Sequence, residues 1–171
     1  MLTLLFCAPA YSMADDVPVS AYRIKAAFLY NFSRFVIWPE STGREHDSFS
    51  VCVLGDDPFG ETLDTLEGKK VHELELTVKR IRDPALVTDC QLVYINLPDA
   101  GQRSAALSML RELPVLTVSD FEDFTEQGGI IRFKLMDNKI RFDINIEAAR
   151  TANLSISSKL LSLATVVGEA R

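Results

Sequence analysis

Three short runs rich in β-branched and aromatic residues, Phe49 to Leu54, Gln91 to Ile95 and Val115 to Val118, do most to limit what this chain can become. A fourth run, Val71 to Ile81, alternates imperfectly and is read as a further strand. Between them lie segments of helix or turn character: Pro58 to Glu67, Asp83 to Val87 and Gln102 to Leu110. Strands that alternate with helices bury both sheet faces as a parallel α/β sheet with right-handed crossovers.

Flanking segments complete this layout. From Ala21 to Trp38, Ile24, Phe28, Phe32, Phe35 and Val36 recur at spacings of three to four, widened by Leu29 and Tyr30, which predicts a helix ended by Pro39. It reads as a central core helix, because Arg23, Lys25 and Arg34 are too few for a cationic helix lying on a membrane. After the sheet, a short helix is expected over Phe121 to Glu126, capped by Ser119 or Asp120. Ile130 to Met136 and Lys139 to Ile144 flank Asp137-Asn138, residues that accept the positive φ of a tight hairpin turn. Two helices, Ile146 to Ala152 capped by Asn145 and Ile156 to Val166 capped by Ser155, are expected to close the chain. No repeat or linker divides residues 15–171, which read as a single domain.

The amino terminus carries a different message. Leu2 to Ala10 is apolar and uncharged, Ser12 and Ala14 have the small-residue spacing that signal peptidase accepts, and acidic Asp15-Asp16 follows. Residues 1–14 therefore read as an export signal, truncated because it lacks a Lys/Arg start, with cleavage after Ala14. The bulky Phe6 argues against Cys7 as a lipoprotein cysteine. Cleavage would remove Cys7 from a chain with three cysteines and leave Cys52 and Cys90, both in strand-like runs. Neighbouring strands bring Cα atoms within disulfide range, and in an oxidising compartment such a bond persists. Closing a loop of roughly 40 residues would contribute about 4 kcal/mol. Two buried free thiols remain the alternative.

Twenty-four acidic against eighteen basic side chains, without a run of five or more Lys/Arg, argue against nucleic acid or anionic lipid as the partner. Catalytic patterns are equally absent. Gly55-Asp-Asp-Pro-Phe-Gly60-Glu61-Thr62 has the glycine spacing of a phosphate loop, yet Glu61 stands where Lys is needed and Asp56 and Asp57 would repel phosphate. Ser155-Ile-Ser157-Ser158-Lys159 misses S-x-x-K, and no G-x-S-x-G occurs. His46 and His72 lack partners at metal spacing, so neither a metal site nor a cofactor is expected. The acids of Asp120 to Glu126 suit the start of a helix, where they complement its dipole. No catalytic role is assigned.

The words of two segments are more telling. Lys25-Ala-Ala-Phe-Leu-Tyr-Asn-Phe32 running into Phe35-Val-Ile-Trp38-Pro39 resembles the YfiR family of periplasmic proteins. So does Gly128-Gly129-Ile-Ile-Arg-Phe133 with Ile140-Arg-Phe-Asp-Ile-Asn-Ile-Glu-Ala-Ala-Arg150 and Leu154-Ser-Ile-Ser-Ser-Lys-Leu-Leu161. The resemblance implies a three-layer α/β sandwich with a partial Rossmann-like, mostly parallel sheet. It implies a periplasmic, dimer-forming regulator that restrains a membrane diguanylate cyclase through its periplasmic sensor region, lowering cyclic di-GMP and biofilm formation, and it leaves room for an outer-membrane partner. Cys52 and Cys90 match the family's disulfide pair in position, whereas a second pair near the hairpin is missing, so redox switching through that pair does not carry over. A parallel sheet also offers a crevice at the carboxyl ends of its strands, here near Gly55, Asp56, Phe59, Asn96, Ser119 and Phe121. A module sensing a small periplasmic ligand is the alternative use.

Overall fold

A computed structural model describes residues 19–40 and 47–168. The expected signal segment with Cys7, and His46, lie outside them. Helix α1 (Val19–Phe35) is followed by β1 (Val36–Ile37), β2 (Ser48–Gly55), one turn of helix α2 (Glu61–Asp64), β3 (Lys70–Val71) and β4 (Leu74–Ile81). A 3-10 helix (Pro84–Asp89), β5 (Leu92–Asn96), α3 (Ala100–Leu110) and β6 (Leu116–Ser119) complete the central part. Then come the hairpin β7 (Ile131–Met136) and β8 (Lys139–Asn145), α4 (Ile146–Thr151), β9 (Ser155–Ile156), α5 (Ser158–Leu161) and β10 (Thr165–Val167).

Eight strands form one sheet in the order β10-β8-β7-β6-β5-β2-β4-β3. The neighbours from β4 through β7 run parallel, while β8 returns antiparallel along β7 with Phe133 opposite Phe142. Because side chains alternate across a strand, the central strands feed two cores. Phe49, Val51 and Val53 of β2 and Leu92 and Tyr94 of β5 pack toward α1, where Phe32 lies between Phe133 and Phe142 at centroid distances of 5.6 and 5.0 Å. Cys52, Leu54, Val93 and Ile95 pack instead with Ala106, Leu107 and Leu110 of α3. The result is the three-layer α/β sandwich expected. Cys52 and Cys90 are joined by a disulfide, with Cα atoms 6.1 Å apart.

Several elements differ from their sequence reading, each for an identifiable reason. The long helix stops at Phe35, because Val36-Ile37 pairs antiparallel with Ser155-Ile156 before Pro39 is reached. Its buried stripe is also rotated: Lys25, Ala26, Leu29, Phe32 and Ser33 face inward, while Ile24 is 48% exposed. The helix expected over 58–67 is cut to one turn because Gly68 and Lys69 exchange backbone hydrogen bonds with Leu76 of β4. The strand expected over 71–81 is instead a hairpin. His72 turns with φ +53, and Lys70 pairs with Glu75.

Residues 121–126 form hydrogen-bonded turns rather than a helix, which sinks Phe124 fully into the α3-side core against Gly129. Neither expected cap is free for that role, since Ser119 lies in β6 and Asp120 binds Lys25. The closing helix over 156–166 is broken into β9, α5 and β10; Ser157, not Ser155, caps α5, and β-branched Thr165–Val167 joins the sheet edge parallel to β8. The Asp137-Asn138 hairpin turn is as expected, with φ of +49 and +56, and Asn145 Oδ1 accepts the Ala148 amide to cap α4.

Candidate functional site

The parallel strands deliver Gly55, Asn96 and Ser119 to one end of the sheet. Gly55 turns with φ +97, and a Cβ there would lie 2.2 Å from the Asn96 carbonyl oxygen, so the close approach of β2 and β5 requires glycine. Asn96 Nδ2 donates to the Asp56 carbonyl at 2.8 Å and ties the two strand ends together. The following loop is held from below by a cation: Arg80 donates to Asp57 at 2.7 Å and to the Gly60 carbonyl, and lies 2.8 Å from Asp64. Asp57 also accepts the Phe59 amide at 2.7 Å. Asp57 is thus engaged inside its own loop rather than pointed at a phosphate position. Asp56 is exposed and 3.7 Å from Arg82.

The other three crevice residues divide between the layers. Phe59 is buried on the α1 side, edge-on to Tyr94 at 4.8 Å and to Tyr22 at 5.3 Å. Ser119 is fully buried and donates to the Ile95 carbonyl at 2.7 Å. Phe121 lies on the α3 side, with the Arg103 guanidinium 4.0 Å over its ring. Arg103 is itself buried, donates to the carbonyls of Leu97 and Pro98, and grips Asp123 with two bonds of 2.8 and 3.0 Å.

Beneath α1 the same sheet end carries a polar cluster that sequence reasoning missed. Lys25 Nζ donates to Asp120 Oδ2 at 2.6 Å, and the Tyr94 hydroxyl donates to the same oxygen at 2.7 Å. The Lys25 ammonium also lies 4.4 Å from the Tyr22 ring centre. Burial, reinforced by the nearby Asp120 carboxylate, pushes the Tyr94 phenol far above its usual range, and burial followed by Asp120 raises Tyr22. Both phenols stay neutral, so Tyr94 acts as a hydrogen-bond donor and cannot serve as a base near neutrality. The one available signal was a Lys one turn before Leu29 within the apolar stripe.

Chemically, these groups clamp elements to one another. Among the described residues no group of three or more His, Cys, Asp or Glu could hold a metal ion. His72 is exposed in its turn. Among the described residues, the open cavities elsewhere include one of about 500 Å³ between α1 and α2 and one of about 350 Å³ between α3 and α4; neither of these is lined by the six crevice residues.

Fold and site together define a class: a disulfide-braced α/β sandwich with a mostly parallel, Rossmann-like sheet whose charged side chains at the strand ends lock helices and loops in place. Residues 22–165 match the protein family described as YfiR/HmsC-like, and the chain belongs to that family. Its members are regulatory proteins of the periplasm. No helix among the described residues is long and apolar enough to cross a membrane.

Proposed function

We propose that this chain is exported, cut after Ala14, and in the periplasm binds the sensor region of an inner-membrane diguanylate cyclase and inhibits it, thereby limiting cyclic di-GMP and biofilm formation. The observation that carries this reading is the family match over residues 22–165. The bound regulator would act by differential affinity. If it binds the inactive conformation of the sensor more tightly than the active one, it shifts the cyclase population toward the inactive state, and a competing partner or ligand reverses the shift. A homodimer and an outer-membrane partner belong to the same reading.

Deleting the gene in its native host tests it. Cyclic di-GMP should rise and fall again when the full chain is restored in trans. Unchanged levels in a host with an active periplasmic-sensor cyclase would reject it. A second reading, a small-molecule-binding module for another receptor or transporter, is supported by the meeting of Gly55, Asp56 and Asn96 at the carboxyl end of the sheet. Thermal-shift screening against nucleotides and amino acids separates the two, because a ligand that binds only the folded chain raises its melting temperature.

A further inference from the structure

Three cations gathered around the end of α1 have aromatic rings for neighbours and no carboxylate. The Lys69 ammonium lies 5.5 Å from the centre of the Tyr30 ring, and the Arg34 guanidinium lies 5.6 Å from the same ring. Arg34 is also 5.8 Å from the Phe35 ring, which Lys159 approaches to 4.9 Å. Lys69, Tyr30, Arg34, Phe35 and Lys159 thus form one continuous band, from the turn before β3 across α1 to α5. The cations are exposed and the rings half-buried, so a partner can reach both.

The charge of this band is not balanced. Among the described residues none of its cations forms an ion pair, although Lys70, next to Lys69, finds Glu75 at 3.2 Å. Helix α1 contains no Asp or Glu, in a chain whose net charge is −6. Like charges left together in this way create a local field that attracts anions. The rings limit how far the cations roam, which lowers the entropy cost of binding through them. The open groove between α1 and α2 continues the band, sharing Tyr30 and Lys69 with it and adding Arg23 against one acid, Glu61. At the other end Ile37, two residues beyond Phe35, is 58% exposed and offers an apolar contact. A membrane surface or a long polyanion would meet the negative charge of the whole chain, whereas a short acidic segment meets mainly the band, within a Debye length of it.

We propose that this band docks an acidic segment of a protein partner, with its carboxylates against Lys69, Arg34 and Lys159 and its apolar side chains on the Tyr30 and Phe35 rings. That the partner is the sensor region of a cyclase rests on the regulatory reading; the acidic chemistry of the docked segment does not.

Fluorescence anisotropy on the purified chain tests the chemistry, with a rhodamine-labelled Glu-rich peptide carrying Leu at every third position, beside its Lys-rich counterpart. Saturable binding of the acidic peptide is expected, weakening about five-fold or more as salt rises from about 25 to about 200 mM. Arg34→Gln/Lys69→Gln/Lys159→Gln should weaken it about ten-fold or more. The control Lys79→Gln/Lys139→Gln/Arg141→Gln makes the same change in net charge at exposed positions away from the band and should keep the affinity. Melting temperatures of both variants should stay within a few degrees of the parent chain. No saturable binding up to millimolar acidic peptide overturns the proposal. So does equal binding of the Lys-rich peptide, an affinity that the band variant retains, or one that both variants lose equally. Sedimentation with phosphatidylglycerol vesicles that depends on the band, without peptide binding, would assign the surface to lipid instead. In the deletion strain the control variant should restore low cyclic di-GMP and the band variant should not; full restoration by the band variant overturns the proposal while leaving the regulatory reading intact. If deletion itself changes nothing, that reading falls and the peptide measurements decide this one.

Discussion

Lys25 Nζ lies 2.6 Å from Asp120 Oδ2, joining the first helix to the residue after β6 across 95 positions of sequence. The Lys25 side chain is 8% exposed and that of Asp120 31%, so the pair is desolvated mainly on the lysine side. Removing one partner of a buried pair strands the other, which costs more than removing both.

Lys25→Met should therefore destabilise the chain by about 2–3 kcal/mol, less than a fully enclosed pair because water reaches Asp120. The double variant Lys25→Met/Asp120→Asn should recover part of that loss. Denaturant midpoints for the four members of the cycle measure it, and a double variant as unstable as the sum of the singles would show that the pair is not coupled.

Tyr94 predicts an alkaline limit. The folded chain holds the phenolic proton more tightly than the unfolded chain, so this contribution is complete below pH of about 10 and falls as the pH rises beyond it. Tyr94→Phe should start from a lower stability, having lost the bond to Asp120, but decline less steeply between neutral pH and strongly alkaline conditions. Urea midpoints measured over that range for both proteins compare the slopes; parallel curves would count against the assignment.

The Cys52–Cys90 bridge closes a long loop, with a sequence separation of 38, and both cysteines are buried. Cys52→Ala/Cys90→Ala should lose about 2–4 kcal/mol. In the native chain, dithiothreitol should release alkylatable thiols only slowly until denaturant is added, which mass spectrometry after iodoacetamide would follow. Rapid labelling under native conditions would be inconsistent with the buried bond.

Two glycines of one loop should respond differently. Gly55→Ala meets both a positive φ and the Asn96 carbonyl oxygen, whereas Gly60→Ala has φ +54 but open space around the new methyl. The first should cost well over 2 kcal/mol by thermal or chemical unfolding and the second about 1 kcal/mol. Similar losses would mean that β2 and β5 can move apart to admit a side chain.

How much of this was legible depended on how local the cause was. The β2, β5 and β6 cores are continuous apolar runs buried on both faces, and the Asp137-Asn138 turn follows from the tolerance of those two residues for positive φ. Nothing in the sequence marks Lys25 as the partner of Asp120, which is 95 positions away, and Val36-Ile37 reads as helix because the strand it pairs with, at Ser155-Ile156, comes near the far end of the chain. The Phe121 to Glu126 acids looked like a solvated helix start. Asp123 instead meets a buried arginine whose long stem reaches it from α3. The cavity between α3 and α4 had no sequence signal, since it is a gap between helices that only the packing reveals.

The β1–β9 pairing sets an order of events. A ribosome delivers a chain amino end first, yet α1 reaches its resting place only when Phe133, Phe142 and the Ser155-Ile156 strand have arrived. Such distant pairings are slow to close. The first helix made is thus among the last to be fastened, and until then it is held by nothing but its own backbone hydrogen bonds.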